Sequence, residues 1–180
     1  MFIIFVMNKA TWQLKMIFLH LSKKISGRIL EIGVGTGRFF TEALRSGADI
    51  YGIDVSKSMI EILKNKLDAS DHCRIHTGDA CTMKLNQKFR LIVAPFRVFS
   101  HIIDVTDQIK FLDNVREHLD EEGKFIFDLF IPDPALLHNG IDKVVDFEGE
   151  YEPGKKLRRI VSSHPDIVKA KPGKYFRRLS

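Results

Sequence analysis

Three glycines, Gly33, Gly35 and Gly37, recur at every second position between an apolar run and a segment of helical period. Glycine lets the chain turn sharply and brings backbone N–H groups close to a ligand with no side chain in between. The frame is G-x-G-x-G. A dinucleotide fingerprint counted from Gly33 would need glycine where Arg38 stands, and no Gly-Lys-Ser/Thr follows to build a phosphate loop. Acids accompany the turn in chain order: Glu31 just before it, Asp54 at the end of the next apolar run, Asp79 after the one beyond. An acid at the end of the following strand separates a ligand loop from a merely glycine-rich one; capping of the next helix is the other use of Asp54, which Ser56 and Ser58 could also serve. Among proton-transfer groups His101 is the best placed for a general base, with a loop-capping role as its alternative. Arg97 could hold an acidic substrate group or pair with Glu31 or Asp128. The other histidines (His20, His72, His76, His118, His138, His164) show no metal-ligand spacing, so no metal is expected.

These positions need elements to hold them. Residues 28–32 read as a buried strand before the glycine turn, and Phe40, Ala43 and Leu44 as a helical face closed by Gly47. Residues 49–53 read as a second strand. The helix after it carries Met59, Leu63 and Leu67 on one face, with Ser58 and Glu61 spaced as a capping box. Residues 74–76 and 89–93 supply two more strands, Ile109, Leu112, Val115 and Leu119 mark a helix over 106–119, and 124–128 is a fifth strand. Alternation of this kind predicts an α/β fold, a doubly wound and mostly parallel sheet with helices on both faces. Ligands of such sheets bind at the carboxyl ends of the strands, where strand order reverses. Residues 12–25 add an amphipathic helix, and the greasy 1–7 segment reads as a buried edge strand or a misplaced start.

The pattern Glu31-Ile32-Gly33-Val34-Gly35-Thr36-Gly37 resembles motif I of the class I S-adenosylmethionine-dependent methyltransferases. That donor carries a sulfonium and an ammonium and no phosphate, so nearby carboxylates suit it. The resemblance implies a Rossmann-like methyltransferase fold in which the Gly33–Gly37 loop passes beneath the methionyl part and Glu31 steadies the loop. It implies that Asp54 accepts from both ribose hydroxyls, that Val55 lies on the adenine face, and that Asp79 and Ala80 read the adenine edge. Ala94, in the position of motif IV, completes the implied cofactor set, with His101 beyond it as base. The stretches Pro95-Phe96-Arg97 and Asp128-Leu129-Phe130-Ile131-Pro132-Asp133 resemble a branch that acts on small molecules. Asn/Asp-Pro-Pro-aromatic, the corner of nucleic-acid base-amino methyltransferases, is replaced here by Ala94-Pro95-Phe96-Arg97. Members of that branch carry a tyrosine-bearing segment ahead of the first strand and run on well past position 180, so both ends of this chain look clipped.

Composition agrees with an ordinary folded domain: 180 residues, 44% hydrophobic and 28% charged, which excludes general disorder. A single domain over 1–180 is expected, with its core at 26–131 and 132–180 as a partial extension of short antiparallel strands near 141–147 and 157–162. Five of the six prolines lie in that extension. The net charge of +5 conceals an asymmetry, because residues 155–180 hold nine Lys/Arg and one acid, Asp166. Those bases read as the outward face of strands; an arm gripping nucleic-acid backbone is the alternative. Two cysteines, Cys73 and Cys81, point to a reducing compartment, no apolar run reaches the ~20 residues of a membrane span, and a cytoplasmic location follows. The expected function is methyl transfer to a small-molecule substrate, with no membrane partner and nucleic acid disfavoured. A homo-oligomer or partner chain would cover the sheet edge. The rivals are a non-catalytic, cofactor-binding fragment and an RNA methyltransferase.

Overall fold

Short β-branched and aromatic runs separated by helical segments can pair only through crossovers, which forces parallel strands. The computed structural model describes residues 2–7, 16, 18–21, 24–130, 140–163 and 178–179. The chain divides into two compact units, residues 1–130 and 131–180.

The first unit runs β1 (Phe2–Met7), β2 (Ile29–Ile32), α1 (Phe40–Arg45), β3 (Ile50–Asp54), α2 (Lys57–Lys64), β4 (Ile75–Thr77), β5 (Phe89–Ala94), α3 (Val105–His118) and β6 (Leu119–Phe130). Its strands form one sheet in the order β1-β6-β5-β2-β3-β4, and every pairing is parallel. Order reverses between β2 and β5, which makes the carboxyl end of β2 the switch point. Within the expected 1–7 strand, Phe2–Met7 is an edge strand, paired with β6 from Phe2 opposite Phe125 to Met7 opposite Phe130.

Both faces of the sheet are covered, so its central strands are apolar on both sides. Ile29, Ile50, Leu91, Val93 and Ile126 pack with Phe40 and Ala43 of α1, with Ile60 and Leu63 of α2, and with Phe18 and Leu19. Leu30, Ile32, Ile53, Ile92, Ala94, Phe125 and Phe127 pack on the other side with Phe111 and Val115 of α3. Residues 18–21 are helical, as the reading of 12–25 requires, while 12–15, 17, 22 and 23 lie outside the described residues.

Three local expectations need correction. The cap of α2 is Ser56, whose hydroxyl accepts from the Met59 amide, and not Ser58 of the expected capping box. Ile60 and Leu63 form the buried face of α2 while Met59 is 43% exposed; the helix begins at Lys57, two residues before the start that a Ser58 cap implied, and ends at Lys64, ahead of Leu67. On α3 the buried positions are Phe111, Asn114, Val115 and His118, whereas Ile109 is 56% exposed, so the inward face includes two polar side chains and leaves 109 out.

The second unit is an antiparallel ribbon, β7 (Ile141–Glu152) with β8 (Lys155–Ser163), joined on its far side by β9 (Arg178–Leu179). The expected antiparallel strands are present and longer than read. Register sets Glu148 opposite Arg158 and Glu150 opposite Lys156, so the first basic residues of the tail face acids across the ribbon. Residues 131–139 and 164–177, which include His138, His164 and most of the basic tail, lie outside the described residues.

Candidate ligand site at the carboxyl ends of β2, β3 and β4

The glycine turn is fastened to the strand beside it. Gly33 and Val34 donate their amides to the Ile53 carbonyl at 2.8 and 3.1 Å, and Gly78 donates to the Asp54 carbonyl at 2.9 Å. The ends of β2, β3 and β4 are thereby locked together. Gly33 has φ +74°, and a Cβ there would lie 2.4 Å from Val98 Cγ2, so any side chain would meet both a left-handed backbone and the next loop. Gly37 is closed off in a different way, its Cβ position being 2.3 Å from Leu63 Cδ1. At Gly35 nothing lies within 4 Å. Two glycines seat the turn on the fold and the third leaves its outer side open.

Asp54 organises this turn. One carboxylate oxygen accepts the Gly35 amide at 2.8 Å and the other the Ser56 amide at 2.8 Å. The carboxylate steadies the residues just ahead of α2, but the helix cap itself is Ser56. Asp79 makes a similar local bond, accepting the Cys81 amide at 2.8 Å.

Around these groups opens a cavity of about 320 Å³. Gly33, Asp54, Val55, Asp79, Ala80 and His101 all line it, contributed by four separate loops. Its floor is apolar, from Ile32, Ile53 and Phe111, with Val98 and Ile102 on the side of the 98–101 turn. Glu31, Gly35, Gly37 and Ala94 are not in the lining. Ala94 is fully buried in the sheet, and Glu31 sits beneath the turn at 1% exposure. Burial pushes the Glu31 carboxyl well above its ordinary range; the Phe40 amide opposes this by donating to it, and the Asp54 charge adds to it. Its Oε2 has no hydrogen-bond partner.

Sequence reasoning missed Cys81, Phe111, Val98 and Ile102 in the cavity wall. Cys81 directly follows Asp79 and Ala80, which was a usable signal; an apolar residue on a helix, such as Phe111, carries none that separates pocket from core. Burial and the neighbouring Asp79 raise the Cys81 thiol to about 11. Asp128 was also underrated. It is 2% exposed, burial raises its carboxyl above the ordinary range, and both its oxygens accept the Arg97 amide at 3.1 Å. That bond holds a turn in which Phe96 and Arg97 have φ of +62° and +68°. Strain of this kind costs about 1–3 kcal/mol per residue and persists only where the surroundings enforce it.

Among the described residues no group of His, Cys, Asp and Glu could hold a metal ion, and no helix is long and apolar enough to cross a membrane. A family model described as a methyltransferase domain matches residues 29–123. An uncharacterized methyltransferase of Bacillus mycoides (strain KBAB4) is 31% identical over 104 residues, which is 58% of this chain and 47% of that protein. The chain thus spans about half the length of the curated relatives it matches. Among solved structures, the SAM-bound amino pentose methyltransferase CalS10 of Micromonospora echinaspora aligns with a TM-score of 0.66 at 18% identity, over 96% of this chain and 76% of that one. An S-adenosylmethionine-dependent methyltransferase from Clostridium acetobutylicum ATCC 824 aligns with a TM-score of 0.60 at 24% identity, over 94% and 72%. Both likenesses establish the parallel sheet with its flanking helices.

Proposed function

Because this chain belongs to the methyltransferase-domain family, we propose that it binds S-adenosylmethionine across the ends of β2, β3 and β4 and serves transfer of the donor's methyl group to a small-molecule acceptor. One observation carries the reading: Gly33, Asp54, Val55, Asp79 and Ala80, far apart in the chain, line one cavity at the switch point of a parallel sheet.

The residues present fit such a donor. Ile32, Ile53 and Phe111 offer an apolar bed for a purine, and the Asp54 carboxylate, with two backbone amides already bound, keeps lone pairs for a ligand's hydroxyls. In this reading Glu31, enclosed beneath the turn and outside the cavity lining, steadies the loop from below. When bound, the donor supplies an electrophilic methyl group on a sulfonium. The protein's own task is alignment in a site shielded from water, and orientation can contribute up to roughly 7–11 kcal/mol. His101 lines the cavity from the 98–101 turn; it takes a proton from the acceptor where the attacking atom must lose one, an effect of about 10²–10⁴-fold. In this reading 131–180 extends the same domain, a second copy or partner chain covers the sheet edge, nucleic acid is not the acceptor, and the protein works in the cytoplasm.

The test is calorimetric titration with S-adenosylhomocysteine. Folded wild-type protein should bind it, and Asp54→Ala should lose about 1.5–3 kcal/mol of affinity, the worth of a hydrogen bond to a charged group. Absence of heat from folded protein at millimolar ligand would remove the donor assignment, and an unchanged affinity in the variant would remove Asp54 from it. A chain that binds but forms no product with any acceptor would favour the cofactor-binding, non-catalytic reading.

A further inference from the structure

Outside the lining of the cavity, Arg38 lays its guanidinium over the Phe96 ring, 4.8 Å from the centroid. Arg38 is exposed and has no carboxylate at ion-pair distance among the described residues, in contrast to Arg28, Arg74, Arg90, Arg116 and Arg158. A guanidinium stacked on an aromatic face keeps its charge and points the N–H groups of its edge outward, in a fork that matches a planar carboxylate. The stack is built rather than incidental: Phe96 is presented by the left-handed pair 96–97, which the buried Asp128 holds through the Arg97 amide.

Its place in the fold matters as much. Arg38 leaves the glycine turn after β2 and Phe96 leaves β5, so the pair spans the two strands between which sheet order reverses. Phe96 packs against the cluster on the α1 and α2 side, whereas Ile32, Ile53 and Phe111 of the cavity belong to the cluster on the α3 side. Lys66 adds a second positive charge to the outer side of the turn, its Nζ lying 2.9 Å from the Thr36 carbonyl. The crevice therefore has an apolar, acid-edged cavity and, apart from it, a cationic rim.

We propose that Arg38, stacked on Phe96, is an anion subsite that selects a methyl acceptor bearing a carboxylate. The inference rests on the donor-binding reading above and adds the acceptor's charge class to it. Asp128 does not cancel the rim, because its carboxyl is enclosed beneath the turn and occupied by the Arg97 amide.

Malonate is the probe, titrated into protein saturated with S-adenosylhomocysteine at constant ionic strength with chloride as the balancing anion, and read by thermal unfolding. Wild-type protein should show a saturable rise in melting temperature. Arg38→Gln should weaken malonate by about tenfold or more, as expected for loss of a charge-assisted pair, while leaving affinity for S-adenosylhomocysteine unchanged. Phe96→Leu, which keeps the charge and removes the stack, should fall between the two. No saturable effect beyond that of chloride, or an equal effect in Arg38→Gln, overturns the proposal. So does a loss in Arg38→Gln of affinity for S-adenosylhomocysteine but not for 5′-methylthioadenosine, which lacks the amino-acid carboxylate; the guanidinium would then hold the donor. Failure of wild-type protein to bind S-adenosylhomocysteine is a separate result that strikes the donor reading itself.

Discussion

Gly33→Ala is the substitution for which the structure yields the most definite expectation. At φ +74° an alanine pays the left-handed penalty of about 1–2 kcal/mol. Its Cβ would also lie 2.4 Å from Val98 Cγ2 and 3.1 Å from Val98 Cγ1, well inside ordinary contact, and Val98 or the turn must give way. Overpacking of that kind adds about 1–3 kcal/mol, so the total is about 2–5 kcal/mol of stability. Gly35→Ala is the internal control: at φ +53° with nothing within 4 Å, it should cost only the conformational share, again about 1–2 kcal/mol. Urea denaturation followed by circular dichroism would measure both. The clash should be relieved in the double variant Gly33→Ala/Val98→Ala, giving a favourable coupling of about 1–2 kcal/mol, within the range for residues in contact. Equal costs at 33 and 35, or a double variant that is merely additive, would refute the account of how this turn is seated.

Other outcomes follow from buried groups. The folded state raises the Glu31 carboxyl, so wild-type stability should decline as pH rises from its ordinary 4.5 through the raised value, because the unfolded chain ionises first; Glu31→Gln should melt higher than wild type at neutral pH, with the gain vanishing in acid, and a difference that grows in acid would refute this. Asp128→Asn should destabilise by about 1–3 kcal/mol through the weakened hold on the Arg97 amide, measured by urea unfolding; an unchanged midpoint would mean the 96–97 turn stands without it. With its thiol at about 11 and partly buried, Cys81 should be alkylated by iodoacetamide at pH 7.5 at least about tenfold more slowly than the exposed Cys73, read by peptide mass spectrometry; comparable rates would contradict the described environment.

Much of the fold was legible because parallel strands announce themselves. β2, β3 and β5 are buried on both faces, and continuous runs such as Ile29–Ile32 and Leu91–Ala94 have little other use. The spacing of Gly33, Gly35 and Gly37 marked the turn, and Asp54 and Asp79 were found where strand ends put them. Helix faces were less legible. Met59 and Ile109 fit the apolar stripes by spacing, yet Ile60 and Phe111 turn inward, since apolar residues stand at neighbouring positions and spacing alone does not choose which of them faces the sheet. The 96–97 turn was invisible beforehand: phenylalanine and arginine are not residues that signal a left-handed backbone, and the acid enforcing it lies 31 residues away on β6. Cavity walls built from Ile32, Ile53 and Phe111 share their chemistry with the core, so pattern alone could not separate the two.

The double engagement of Asp54 has a thermodynamic consequence. Its carboxylate is already immobilised by the Gly35 and Ser56 amides before any partner arrives. Freezing a rotamer-rich side chain on association ordinarily consumes about 0.5–1.5 kcal/mol. Here that entropy is lost during folding, once, and an incoming diol meets a rigid acceptor instead of one that must first be recruited.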